Sequence, residues 1–145
     1  MPVELYVEDS RSRSGLHRAR MLAFIVSREG SVTPVHKHPR ARLESKSRGL
    51  YSRGSRLVYK VGLSSSEVAV QVGLVRNQRG HVKGYISVIN SRGEVYRVVL
   101  RRLKARMSSG DPSYSWAVEA VMRHLGLDRV LRRVNLGGGG GEGSS

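Results

Sequence analysis

Residues 84–100, GYISVINSRGEVYRVVL, decide the fold. Ser91, Arg92 and Gly93 separate two runs of strand-like character, and the glycine supplies the positive φ that a tight hairpin turn needs. On the second run Tyr96, Val98 and Leu100 share one face, while Val95, Arg97, Val99 and Arg101 share the other. That is the period-two pattern of a strand. The stretch reads as a β-hairpin with strands over 85–89 and 94–103. The same turn chemistry recurs in VSREGSV at 26–32 and VRNQRGHV at 75–82, each with Arg and Gly between strand-like flanks. Three such turns predict a meander of hairpins.

Moving outward, Val68, Val70, Val72 and Leu74 face one way, opposite Ala69, Gln71 and Gly73. Leu57, Tyr59, Val61 and Leu63 oppose Arg56, Val58, Lys60 and Gly62 across a turn at 64–66. At the N-terminus Val3, Leu5 and Val7 alternate with Glu4, Tyr6 and Glu8, predicting a strand over 2–8 whose glutamate face is exposed. A polar break, DSRSRSG, follows at 9–15. Residues 16–27 fit two patterns. Leu16, Ala19, Ala23 and Val26 can line a helix, or Leu22, Phe24 and Val26 can alternate with Met21, Ala23 and Ile25 in a strand covered on both faces. The recurring turns favour a strand over 18–27, paired with 31–36.

Beyond the hairpin, 108–126 reads SSGDPSYSWAVEAVMRHLG. Asp111 is placed as an N-cap, Pro112 as the first helical residue and Gly126 just past the end. Tyr114, Val118, Val121, Met122 and Leu125 form one apolar stripe, and Arg123 and His124 suit the negative end of the helix dipole. Trp116 falls off that stripe, beside Glu119 and Arg123, and reads as a dimer contact, with a base-stacking platform as the alternative. A shorter amphipathic piece is expected at 128–134, and GGGGGEGSS at 137–145 reads as a disordered tail. The predicted class is α+β: a mostly antiparallel β-sheet with a C-terminal amphipathic helix packed on it, one domain over 1–136.

Charge is the informative total. Of 145 residues, 26 are Lys or Arg against 11 acids, a net charge of +15. Arg outnumbers Lys 21 to 5, and its planar fork fits phosphate and stacks on bases. Arg-favouring codons or a hot habitat are the other source of the preference, but neither codons nor habitat explains the net charge, which draws in polyanions. The absence of Cys excludes disulfides, thiolate metal sites and thiol catalysis. No apolar run approaches the ~20 residues of a membrane span, and the start, MPVELYVED, lacks a signal-peptide pattern. A soluble, cytoplasmic protein with no membrane partner is expected. The carboxylates are scattered, and no phosphate-cradling glycine motif appears, so neither catalysis nor a cofactor is expected. His36 and His38, with His17 or His81, lack a fixed third ligand, so no metal site is expected.

One stretch stands apart. Residues 36–60, HKHPRARLESKSRGLYSRGSRLVYK, hold eight Lys or Arg against a single acid, Glu44. Pro39 argues against a regular central strand, so 36–55 is read as a flexible basic loop, with strand resuming near Arg56. Lys37, Arg40, Arg42, Lys46, Arg48, Arg53, Arg56 and Lys60 can track phosphates, with Tyr51 offering a stacking surface. Interleaved cations and aromatics grip single strands without reading sequence. Tyr85, Arg97 and the run Arg101, Arg102, Lys104 and Arg106 are candidates for other walls of the same site, whereas Tyr59 and Tyr96 fall on core faces. The lone helix offers too few polar side chains to read a major groove. The expectation is non-catalytic, sequence-tolerant binding of single-stranded nucleic acid, with ssDNA favoured and RNA possible. Ribosome-associated or other structured-RNA binding is the alternative, and a nucleic-acid-processing enzyme stands third.

The Val-rich hairpin GYISVINSRGEVYRVVL, the SYSWAVEAVMRHLGL helix and the Arg-heavy, Cys-free composition together resemble the archaeal single-stranded DNA-binding proteins of the ThermoDBP family. The likeness spans about residues 3–134, without the long leucine-zipper tail of the larger members. It implies an archaeal, thermophilic setting, ssDNA binding and a homodimer or higher oligomer.

Overall fold

The computed structural model describes residues 2–102 and 105–127. Lys104, the predicted piece at 128–134 and the tail at 137–145 lie outside them. The strands are β1 (Pro2–Arg11), β2 (Arg18–Ser27), β3 (Val32–Pro34), β4 (Ala41–Arg48), β5 (Arg53–Gly62), β6 (Glu67–Arg76), β7 (Val82–Asn90), β8 (Gly93–Arg101) and β9 (Ala105–Gly110). Among the described residues one α-helix, α1 (Ser115–His124), follows. All the pairings are antiparallel, in the order β4-β5-β1-β2-β6-β7-β8-β9, with β3 hydrogen-bonded to β2 alone. The α+β class stands. The three Arg-Gly turns are hairpin turns, with Gly30, Gly80 and Gly93 all at positive φ.

The two faces of β2 and β6 carry separate cores, as the double alternation of 21–26 requires. Phe24, Val26, Val68, Val70 and Val72 pack with Ile86, Val98 and Leu100 under Ala117, Val118, Val121 and Met122 of α1. Ala23, Ile25 and Ala69, on the other face, pack with Val3 and Leu5 of β1, Val61 of β5 and Val35. Val35 belongs to a short 3₁₀ turn, Val35–Lys37, that closes this second core. Each fully covered valine or leucine here contributes roughly 1.5–3 kcal/mol.

The chain order is not a simple meander. β1 inserts between β2 and β5, and it stays paired with β5 along Pro2–Arg11 but with β2 only from Glu8 to Arg11. Where β1 leaves β2, the buried Gln71 side chain takes the place of the missing strand. Its Nε2 donates to the Tyr6 and Leu22 carbonyls, at 2.8 and 3.0 Å, and its Oε1 accepts from the Tyr6 amide at 2.8 Å. Without it, backbone groups at the fold line would lack partners, at a cost of about 1–3 kcal/mol each. The sheet therefore bends at β1, and β5 and β4 follow it round.

Some expectations change. The stretch read as a flexible loop is mostly the edge strand β4, paired with β5 from Ala41 to Arg48 with a bulge between Leu43 and Ser45. Its residues are almost all exposed, so there was no apolar alternation to read, and Pro39 lies just before it. β1 continues through Arg11, into the stretch read as a polar break, because β5 pairs with it over that whole length. The strand expected over 94–103 ends at Arg101. Arg102 adopts a left-handed φ of 57°, and the chain reverses into β9. Asp111 does cap, its Oδ1 accepting from the Ser113 amide at 2.9 Å, but Pro112–Tyr114 form a 3₁₀ turn before α1 begins. Trp116, expected off the apolar stripe, is partly buried against the helix-side core, with the Arg28 guanidinium 5.8 Å from its ring.

Candidate nucleic-acid interface

Bending the sheet creates a cleft of about 430 Å³ between β1 and β5 on one side and β6, β7 and β8 on the other. An adjoining recess of about 440 Å³ shares Met21, Arg56, Tyr85 and Arg97 with it and adds Tyr6 and Gln71. The floor follows from strand register. Met21, Gly73, Tyr85, Val99 and Met107 stand directly opposite one another across five neighbouring strands. Gly73 is what lets Tyr85 lie flat, because a Cβ there would sit 2.5 Å from the ring. Val99, in the cleft lining, is 42% exposed, and Met107, one strand beyond it on the same face, is 71% exposed.

Two guanidinium–tyrosine stacks mark the walls. Arg97 lies over Tyr85, 4.3 Å from the ring centroid, and Arg56 over Tyr6 at 5.4 Å. Such pairs are worth about 0.5–1 kcal/mol where exposed, and here each also has a carboxylate anchor. Arg97 pairs with Glu94 at 2.9 Å, and Glu94 in turn accepts from the Ser87 hydroxyl. Arg56 donates through Nε to Glu8 at 2.8 Å. The Glu8 side chain is fully covered, and its other oxygen accepts from the Ser10 hydroxyl and the Leu50 amide, both at 2.6 Å.

The electrostatics follow from these contacts. Burial works to raise the Glu8 carboxyl, but the hydrogen bonds from Ser10, Leu50 and Arg56 outweigh it and hold the group below its ordinary range. Glu94 is lowered in the same way, by Ser87 and Arg97 against its burial. Both tyrosines are raised, Tyr85 by burial and Tyr6 by donating to Glu4 at 2.6 Å, so both rings stay neutral at physiological pH. Beside these fixed pairs, Lys83, Arg101 and Ala19 continue the face towards the open end, where Lys83 stands opposite Arg101. Neither cation has an ion pair among the described residues.

The candidate residues therefore divide. Arg56, Tyr85, Arg97 and Arg101 come together in the cleft, although Arg56 stands far from the other three along the chain. Arg42 and Lys60 are cross-strand partners on β4 and β5, and Lys60 leans to Glu44 at 3.7 Å. Lys37 is exposed at the end of the 3₁₀ turn, and Lys46 is exposed on β4, both away from the cleft lining. Arg40 is a structural clasp: its Nε donates to the Gly62 carbonyl at 3.1 Å and its Nη2 pairs with Glu67, which also meets the buried His38. Tyr51 packs its ring 5.7 Å from His17 instead of facing the cleft. Arg48 and Arg53 fall on the face of the sheet that alternates away from Arg56. Arg102 is exposed at the β8–β9 reversal.

Sequence reading missed Tyr6, Met21, Gly73 and Lys83, and it took the Glu4–Glu8 face for open surface. The available signals were an aromatic on the polar side of β1 and a lone glycine inside the valine run of β6. Among the described residues no group of three or more His, Asp or Glu is placed to hold a metal ion, and no helix is long and apolar enough to cross a membrane. Compared with known proteins, the chain matches no family model, no curated protein and no solved structure.

Proposed function

We propose that this protein binds single-stranded nucleic acid, ssDNA foremost, without catalysis and with little regard to sequence, and that the cleft between β1–β5 and β6–β8 is where bases lodge. The observation that carries the reading is the pair of stacks, Arg97 on Tyr85 and Arg56 on Tyr6, facing one apolar floor. A guanidinium seated over a neutral tyrosine ring offers its own outer face to any base, whatever the base's hydrogen-bonding edge, in a stack of about 1–3 kcal/mol per base. Of the carboxylates at the cleft, Glu8 is committed to Arg56 and Glu94 to Arg97, while Glu4, in the adjoining recess, accepts from the Tyr6 hydroxyl. Lys83 and Arg101 at the open end supply charge for the backbone. The resemblance to the ThermoDBP family implies the same target class and a self-associating chain; sedimentation as a 16.0 kDa monomer at micromolar concentration is the result that removes the second part.

Fluorescence anisotropy with labelled dT oligomers, the matched duplex and a structured RNA tests the reading. The single strand is expected to bind tightest, and the double variant Tyr6→Ala/Tyr85→Ala to lose most of that preference. Equal affinity for all three ligands, untouched by the tyrosine changes, overturns it.

A further inference from the structure

Strand register assembles a second basic feature that no short stretch of sequence reveals. Arg53 stands directly opposite Arg11, Arg11 opposite Arg18, and Arg18 opposite Arg76, on four neighbouring strands β5, β1, β2 and β6. The pairings run without a bulge, so all four side chains leave the same face. On β2 and β6 this face carries α1 farther along, and it is opposite to the cleft. With strands ~4.8 Å apart, the row is a ladder of cations about 14 Å long. Arg20, two residues from Arg18, and Arg48, beside Arg53 on β4, extend it on the same face.

Like charges directly opposite one another destabilise a sheet, and here three such pairs follow in succession. A single carboxylate serves them: Asp9 accepts from Arg18 Nε at 3.1 Å and Nη2 at 2.9 Å. Arg18 holds the Asp9 carboxyl below its ordinary range, so that partner is ionised at neutral pH but already engaged. Arg11 and Arg53 have no ion pair among the described residues, and Arg76 donates only to the Gly15 carbonyl, at 3.2 Å. The turns at this end add the exposed Arg13 and Arg79. A row of forked donors with one shared acid is arranged for a linear polyanion whose charges repeat every few ångströms.

We propose that the Arg53–Arg11–Arg18–Arg76 ladder is a second phosphodiester-binding site, which takes the backbone of a strand after it passes from the cleft over the open end of the sheet. Lys83 and Arg101 lie at that end, on the cleft face. That the natural ligand is nucleic acid rests on the function proposed above; the affinity of the ladder for phosphodiesters does not.

The test uses the full chain and two single-stranded probes of equal length, dT oligomer and an abasic deoxyribose-phosphate oligomer, each over a salt series. The variant is Arg11→Gln/Arg53→Gln/Arg76→Gln. The charge-matched control is Arg28→Gln/Arg92→Gln/Arg123→Gln, three exposed arginines at the opposite end of the molecule. The ladder variant is expected to bind both probes more weakly and to make the log–log salt slope less negative by about 2, at ~0.7 for each phosphate no longer engaged. Its thermal midpoint stays equal or rises, because opposed like charges are gone. The control moves the slope far less. If ladder variant and control shift the abasic slope alike, or neither shifts it, the ladder is not a site. If wild type binds abasic and dT oligomers equally while the ladder effect persists, the cleft reading fails and the ladder stands.

Discussion

Replacing Glu8 with alanine removes the acceptor on which one wall of the cleft is built. The carboxylate is completely covered and takes three donors, from Ser10, Leu50 and Arg56. Deleting one partner of a buried ion pair costs about 3–5 kcal/mol. The low end applies here, because Arg56 keeps 35% of its side-chain surface open and can turn to water. The buried Ser10 hydroxyl has no such exit. A loss of about 3 kcal/mol lowers the melting temperature of a chain this size by about 10 °C, read by circular dichroism or calorimetry. Glu8→Gln, which keeps the shape and one acceptor oxygen, falls between. The pH dependence has a fixed sign. The folded-state pKa is depressed, so the Glu8 contribution is complete above the unfolded carboxylate value near ~4.3 and is lost as the pH falls through the folded value. The gap in melting temperature between wild type and Glu8→Gln is therefore widest near neutrality and narrows in acid. A Glu8→Ala protein that melts within about 2 °C of wild type at pH 7 would show that the wall does not depend on this carboxylate.

Three further perturbations separate stacking, shape and scaffold. Tyr85→Ala weakens dT-oligomer binding by about 1–3 kcal/mol for the stack removed and leaves the salt slope unchanged; anisotropy over a salt series checks both. Gly73→Ala puts a methyl 2.5 Å from the Tyr85 ring and forces it off the floor, so the affinity falls in the same direction while circular dichroism stays native. Arg40→Ala removes a clasp between the start of β4 and the β5–β6 turn, so the melting temperature drops by a few degrees with no change in oligomer affinity; weaker binding at unchanged stability returns Arg40 to the interface.

The fold was legible wherever one side of a strand or helix is buried. β2, β5 to β8 and α1 carry alternations or stripes that survive in the structure, and even the double alternation of 21–26 maps onto two cores. β4 was illegible because an edge strand exposed on both faces has no apolar period; pairing with β5 alone makes it a strand. Sequence picked out some residues of the cleft but not their arrangement. Arg56, Tyr85, Arg97 and Arg101 were picked for charge and aromaticity, but the bend at β1 that brings Tyr6 and Arg56 opposite them is made by Gln71, which reaches Tyr6 across 65 positions of the chain. The arginine ladder is a matter of register across four strands, so Arg11, Arg18 and Arg76, in three separate stretches, carried no local sign of belonging together.

Under the function proposed, a basic sheet that grips the backbone of a single strand releases counterions when it binds. The salt dependence of dT-oligomer affinity measures that release. With about six phosphates engaged, the log–log slope is predicted to be near −4, whereas a slope near zero contradicts backbone binding by this protein.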